Sequence, residues 1–265
     1  TFAKHCLRSD IQAGRPQKSA AAVPSGWRRF PGTWIRHSGL SRSSSSRKKR
    51  VLQKPAKQED LPACLQRHNI SLPDAQVAAL TVYCEAVWAW NEKINLTRHT
   101  DFESFVARDL TDSLKLSEHI PEGSSVLDVG SGGGVPGIVL ALIRDDLTVS
   151  LAESVTKKAR VLQDITRTLQ LAVPVHAARA EDLLKRESYD VLTVRAVAPL
   201  RKLLFWFQQS ASSIGQVLLI KGPRWTAERD EAAAEGLLSG VELEVVDEYR
   251  SVGHDNNSVI LSVRF

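Results

Sequence analysis

The residues best suited to chemistry lie in Val126-Leu127-Asp128-Val129-Gly130-Ser131-Gly132-Gly133-Gly134-Val135-Pro136-Gly137. An apolar run, the pattern of a buried strand, breaks into glycines, and a helical pattern follows. Glycines at such a junction let the backbone turn tightly and approach a ligand with no Cβ in the way. Gly132-x-Gly134-x-x-Gly137 fits the dinucleotide fingerprint, so the glycines alone do not separate NAD from S-adenosyl-L-methionine. Glu153 closes the next apolar run about twenty residues on, where a carboxylate accepts hydrogen bonds from both ribose hydroxyls. A glycine loop that closes a sheet and binds nothing is the competing reading.

Other candidates fall at the ends of later runs. Arg195 and Lys221 each terminate an apolar segment, and Gly222 permits close approach beside Lys221. Lys157, Lys158 and Arg160 open a helical stretch, and Arg179 precedes Ala180-Glu181-Asp182. The four bases are candidates for RNA phosphates or are solvated surface charges. Asn95 either orients a base by hydrogen bonding or serves as a helix C-cap. Trp88 and Trp90 are expected to pack rather than to stack on bases. Cys6, Cys64 and Cys84 show no CxxC pair, no metal-ligand spacing and no reactive motif, so no structural metal or disulfide framework is expected.

The elements needed to position these residues can be read from periodicity. Short apolar runs at Ser125–Val129, Val149–Ala152, Val173–His176, Tyr189–Val194 and Gln216–Ile220 alternate with helical patterns. Those patterns lie around Ile138–Ile143, Thr156–Leu169, Glu181–Arg186 and Leu200–Gln208. This rhythm predicts βαβ units and a parallel sheet covered on both faces. Val241–Glu248 and Ser258–Val263 alternate as an antiparallel pair at the sheet edge. Upstream, Ser71-x-x-Asp74 with Pro73 starts a helix expected to reach Ile94, and a second helix is expected over Phe102–His119. These two helices form a cap over 58–120, leaving 121–265 as the sheet domain.

Residues 1–57 differ in kind. They carry 14 Lys+Arg and a single acid, Asp10, leaving 21 bases against 29 acids for residues 58–265. The basic balance of the whole chain therefore comes from the extension, and any RNA contact by the folded part must rest on local clusters. Leu40–Lys57 is serine-rich and then basic, without apolar periodicity, so the extension is expected to be disordered. It is an RNA-clinging arm, a transit peptide, or a segment without function, with translation starting near Val51. The 43% hydrophobic and 25% charged composition is that of an ordinary globular protein. No apolar run approaches the ~20 residues that span a bilayer, and a cytoplasmic protein is expected.

Asp128 opens an Asp-x-Gly-x-Gly-x-Gly pattern that resembles the first motif of class I S-adenosylmethionine-dependent methyltransferases. More specific motifs occur in order: Trp90-Asn91-Glu92-Lys93-Ile94-Asn95-Leu96-Thr97, Arg108 with Asp112-Ser113-Leu114, the glycine loop, Val194-Arg195-Ala196-Val197-Ala198, and Leu219-Ile220-Lys221-Gly222. Together they resemble the bacterial 16S rRNA (guanine-N7) methyltransferase G family, also called the glucose-inhibited division protein B family, over roughly 60–265. The resemblance implies a Rossmann-like α/β fold with a seven-stranded, mostly parallel sheet, an antiparallel last pair and a helical cap.

It also implies S-adenosyl-L-methionine as cofactor, with contacts at Gly130, Val135, Ala180, Glu181 and Arg195 beside Asp128, Gly132, Gly134 and Glu153. The substrate is then a guanine of 16S rRNA or of the small ribosomal subunit, and a monomer without metal or membrane contact is expected. Three departures bear on substrate contacts. Asp109 stands where the family commonly has His, Glu153 where Asp is commoner, and Asn256-Asn257 where an Arg is usual.

Guanine N7 presents a lone pair and carries no proton, so its attack on a sulfonium methyl needs no general base. Alignment and charge placement would do the work, with Arg195, Lys221 and Asn95 as the residues facing the reaction. A cation beside a sulfonium is repelled. Arg195 is therefore expected to grip the methionine carboxylate, guanine O6 or a phosphate, or else to form a structural salt bridge. The rival readings are a methyltransferase acting on another RNA, a protein or a small molecule, an RNA-binding protein with a relic cofactor site, and a dehydrogenase.

Overall fold

A computed structural model describes residues 59–250 and 257–265. The expected basic extension, the Val51 start and Asn256 lie outside the described residues. The cap begins with α1, Leu61–Arg67, which the periodicity did not reveal. Asp60 caps it by accepting a hydrogen bond from the Ala63 N–H at 3.0 Å, and Leu61, Cys64 and Leu65 are buried. The long helix α2 spans Asp74–Asn91. It starts later than expected from Ser71, because Pro73 is extended and provides no side-chain cap. It also ends three residues before Ile94. Asn91 Oδ1 there turns back to accept from the N–H groups of Leu96 (2.7 Å) and Thr97 (3.1 Å).

The second cap helix is not continuous. α3, Phe102–Ser104, runs into a π-helical stretch, Phe105–Leu110, and then into α4, Thr111–Ser117. Thr111 Oγ1 donates to the Val106 carbonyl, five residues back, at 2.7 Å. A π turn takes up an extra residue and rotates everything after it, a distortion common at functional sites. Arg108 and Asp109 lie within it and Asp112 just beyond.

The sheet domain alternates β1 Ser125–Val129, α5 Gly137–Ile143, β2 Thr148–Ala152, α6 Thr156–Thr168, β3 Val175–His176, α7 Ala180–Leu183 and β4 Tyr189–Arg195. It continues through α8 Leu200–Gln208, β5 Ile214–Lys221, α9 Trp225–Ala234, β6 Glu242–Arg250 and β7 Asn257–Arg264. The strand order is β3-β2-β1-β4-β5-β7-β6, with β1 to β5 parallel and β7 antiparallel to both β5 and β6. This is the seven-stranded, mostly parallel sheet with an antiparallel last pair that the resemblance implied. β3 is shorter than the run from Val173 suggested because Pro174 has no N–H to donate, although its carbonyl accepts from Leu151 N at 2.8 Å. The helix expected over Glu181–Arg186 is α7, one residue earlier at its start and shorter. α9 went unpredicted.

Side chains alternate across the sheet, so both faces are buried. On β5, Leu218 and Ile220 join the cap, α5 and α6 in one core, while Val217 and Leu219 pack with α8 and α9 in the other. The cap is thus bound into the same core as the sheet, through Leu80, Tyr83, Val106 and Leu116 among others.

Candidate active site

All the strands from β1 to β5 point their C-terminal ends to one edge, where ligands bind in open α/β sheets. The glycine loop leaves β1 there. Gly130 has φ +68°, and a Cβ on it would stand 2.7 Å from Val197 Cγ2. Gly137 opens α5 so close to β1 that a Cβ would meet Asp128 Cβ at 2.7 Å. Both positions require glycine, one by conformation and one by contact.

Asp128 supports this loop from below. It is buried; Oδ2 accepts from the Gly137 N–H (3.1 Å), Oδ1 from the Thr193 hydroxyl (3.0 Å), and Ser131 Oγ donates to its carbonyl (2.9 Å). Burial raises its carboxyl to about 6 against the opposing effect of these hydrogen bonds. Glu153, at the end of β2, accepts from the N–H groups of Gly132 (3.0 Å) and Val155 (2.7 Å), tying the loop to the neighbouring strand. Gly134 is buried, its N–H turned onto the Ser131 carbonyl at 2.6 Å. From the cap, the Tyr83 hydroxyl donates to the Gly133 carbonyl at 2.8 Å.

Above the loop lies a cavity of about 240 Å³, walled by Gly130, Gly132, Val135, Tyr83, Asp109 and Arg195, among others. It adjoins a wider cleft of about 1130 Å³, lined by Asn95, Arg108, Asp112, Lys221 and Glu228, among others. Leu96, Thr97, His99, Lys158, Arg195 and Ala196 line both. Asp128, Gly134, Glu153, Ala180 and Glu181 line neither cavity. Ala180 is buried at the start of α7, and Glu181 lies 3.9 Å from exposed Arg179. Lys157 and Arg160 are exposed on α6.

Arg195 sits at the junction. Nη2 donates to Asp109 Oδ1 at 2.6 Å and Nη1 to Asp112 Oδ2 at 3.1 Å. Tyr249 on β6 donates its hydroxyl to Asp112 Oδ1 at 2.7 Å, and His99 Nδ1 stands 3.0 Å from Asp109 Oδ2, at ion-pair distance without the alignment of a hydrogen bond. Burial opposes ionisation of Asp109, but His99 and Arg195 outweigh it and hold the carboxyl below its ordinary range. The two carboxylates in turn keep the half-buried guanidinium charged, against the effect of desolvation.

Lys221 is 10% exposed and committed, with Nζ donating to Glu228 (2.7 Å) and to the Ala198 carbonyl (2.8 Å). Asn95 is exposed at the cleft and caps no helix, since α2 has already ended.

Sequence reasoning missed Tyr83, Asp112 as a partner of Arg195, His99, Tyr249 and Glu228. A signal for Asp112 was present: Asp109 and Asp112 are three residues apart in a segment whose neighbours Val106, Leu110 and Leu116 are apolar. Acids on a buried helix face require a cation.

The family model described as rRNA small subunit methyltransferase G matches residues 76–256. The protein named ribosomal RNA small subunit methyltransferase G from Rhodopirellula baltica is 46% identical over 190 residues, 72% of this chain and 82% of that protein. Its namesake from Gluconobacter oxydans is 38% identical over 59% of this chain and 80% of its own length. The one from Solibacter usitatus is 36% identical, over 66% and 84% respectively. This chain belongs to the rRNA small subunit methyltransferase G family and is a methyltransferase.

Proposed function

We propose that the protein transfers a methyl group from S-adenosyl-L-methionine to N7 of one guanine in small-subunit (16S) rRNA. The observation that carries this reading is the pair of joined cavities. One is floored by the glycine loop, the other is wide and lined with bases, and Arg195 lies at their junction.

The walls fit the cofactor. Gly130, Gly132 and Gly133 bring backbone to the smaller cavity without side chains. Arg195 spends two of its five N–H donors on the aspartates, leaving donors for the carboxylate of an amino-acid end. When bound, the cofactor supplies a methyl carbon made electrophilic by a cationic sulfur.

The chain's own residues then orient and exclude. Asp128 and Glu153 act as positioning residues, fixing the loop through Gly137, Gly132 and Val155. Ala180 and Glu181, at the start of α7, lie outside both cavities, and it is the family resemblance alone that offers them to the cofactor. Lys158 faces both cavities, and with Lys157, Arg160 and Arg179 it holds phosphates of the RNA. Asn95 and Arg108 meet the base in the wider cleft, while Lys221 acts through Glu228 to set the floor of that cleft. No proton has to move, because N7 carries none. The rate gain is one of alignment and of charge placed in a partly enclosed site.

Incubation with methyl-labelled cofactor and small subunits from a strain lacking the family enzyme tests the reading. Label is expected on one guanine of 16S rRNA. Label confined to protein, or to free nucleosides, would contradict it.

A further inference from the structure

The glycine loop is held at both ends by the sheet domain. Gly130 and Ser131 donate their N–H groups to the Ala152 carbonyl at 2.8 and 3.2 Å, and Gly132 donates to Glu153. At the far end, the Ile138 N–H of α5 meets the Gly134 carbonyl at 2.7 Å. Between these anchors lies the Gly133–Gly134 peptide, which bonds to neither the sheet nor α5. Its N–H turns onto the Ser131 carbonyl inside the loop at 2.6 Å, and its carbonyl accepts from Tyr83 Oη of the cap at 2.8 Å. A peptide flanked by two glycines has no Cβ on either side to oppose a flip of its plane, and Gly134 already sits at φ +101°. Tyr83 is 2% exposed, and a hydroxyl buried so deeply costs free energy unless it is bonded. Burial and the nearby charge of Asp109 raise the phenol well above its ordinary range, which keeps it protonated and a donor.

We infer that Tyr83 is a positioning residue for the cofactor: through its hydroxyl the helical cap clamps the Gly133–Gly134 peptide in one orientation and so sets the affinity of the smaller cavity. The inference rests on the cofactor reading above. Tyr83 and Gly133 both line that cavity. A flip of the peptide exchanges a carbonyl for an N–H at its wall and changes what a bound ligand meets there. Without the hydroxyl, the peptide keeps only its bond inside the loop, and the wall spends part of its time in the wrong form. Apparent affinity falls in proportion to the fraction of time the competent form is present, so a loop that is competent about a tenth of the time binds about tenfold more weakly. The ring that carries the hydroxyl packs against Phe105, with centroids 6.1 Å apart. Phe105 opens the π-helical stretch that also holds Asp109, so the clamp and the Arg195 network share one support.

Calorimetric binding of S-adenosylmethionine and S-adenosylhomocysteine tests this without turnover, in wild-type protein and two variants of the full chain. Tyr83→Phe keeps the ring and removes the hydroxyl. Leu80→Val, a turn earlier on α2, trims a buried side chain that lines neither cavity. Well below its melting temperature, Tyr83→Phe is expected to bind both ligands roughly tenfold more weakly, which corresponds to about 1.4 kcal/mol. Leu80→Val should lower the melting temperature and leave both affinities as they are. Unchanged affinity in folded Tyr83→Phe would overturn the inference. So would an equal loss in Leu80→Val, which is the mark of a purely structural role. Hydrogen exchange at the Gly134 amide needs no variant: in the unliganded wild-type protein it is expected to be slow. Exchange there at the rate of an open chain until a ligand binds would show that nothing clamps the peptide beforehand, and would overturn the inference too. Failure of the wild-type protein to bind either ligand would overturn the cofactor reading, and the inference with it.

Discussion

Asp128 shows how one side chain can matter to a site it does not touch. Its oxygens meet a helix N-terminus and a hydroxyl on the next strand, so it fixes where the glycine loop starts and where α5 begins. Burial raises its carboxyl to about 6, above the ordinary value of 3.8. The stability tied to the protonated form is therefore present in full below the lower value and lost as pH rises through the upper one. By pH 8 the loss is roughly 3 kcal/mol. Asp128→Asn has no charge to desolvate. It can accept from Gly137 with its oxygen and donate to Thr193 with its amide, so its cost relative to wild type should shrink as pH rises. Urea unfolding at about pH 4.5 and about pH 8 measures this. A cost that is the same at both values would contradict it.

At the scale of elements, the regular parts were legible and the irregular ones were not. The strands β1, β2, β4 and β5 are short apolar runs bounded by turns, and their pattern survives because both sheet faces are buried. The glycine loop was legible for the same reason, since no other residue type serves at Gly130 or Gly137. Periodicity could not show that the helix after Phe102 would adopt a π turn. Asp109 within that turn and Asp112 just beyond it bond to Arg195, a partner far away in sequence that no local pattern reports. α9 was hidden because its only buried residue is Ala232, which leaves no apolar stripe to count.

The loop after α2 is another element set by a contact rather than by a pattern. Asn91 holds Leu96 and Thr97, which line both cavities. Asn91→Ala should lose about 1 kcal/mol of stability and several-fold in cofactor affinity, with helix content unchanged. Thermal melts and calorimetry would show this, and an unchanged affinity would contradict the positioning role.

Across the whole molecule, charge is unevenly placed. Residues 58–265 carry an excess of acids, and Lys157, Lys158, Arg160 and Arg167 form a local run of bases on α6. RNA binding should therefore depend on salt through a few local contacts instead of a general basic field. Replacing Lys157, Lys158 and Arg160 together by Ala should reduce the slope of log affinity against log salt by about 2. A slope unchanged by the triple substitution would remove α6 from the RNA interface. Among the described residues no helix is long and apolar enough to cross a membrane. The sheet topology, the joined cavities and the family membership all converge on methyl transfer to RNA.

The most direct test of the central claim is single-turnover methylation of reconstituted small subunits in which only the target guanine is replaced by 7-deazaguanine. That change removes the N7 lone pair and leaves the remaining base edges in place. Binding is expected to persist while methyl transfer is abolished. Methylation at the undiminished rate would show that the accepting atom is not N7, and the proposed chemistry would be wrong.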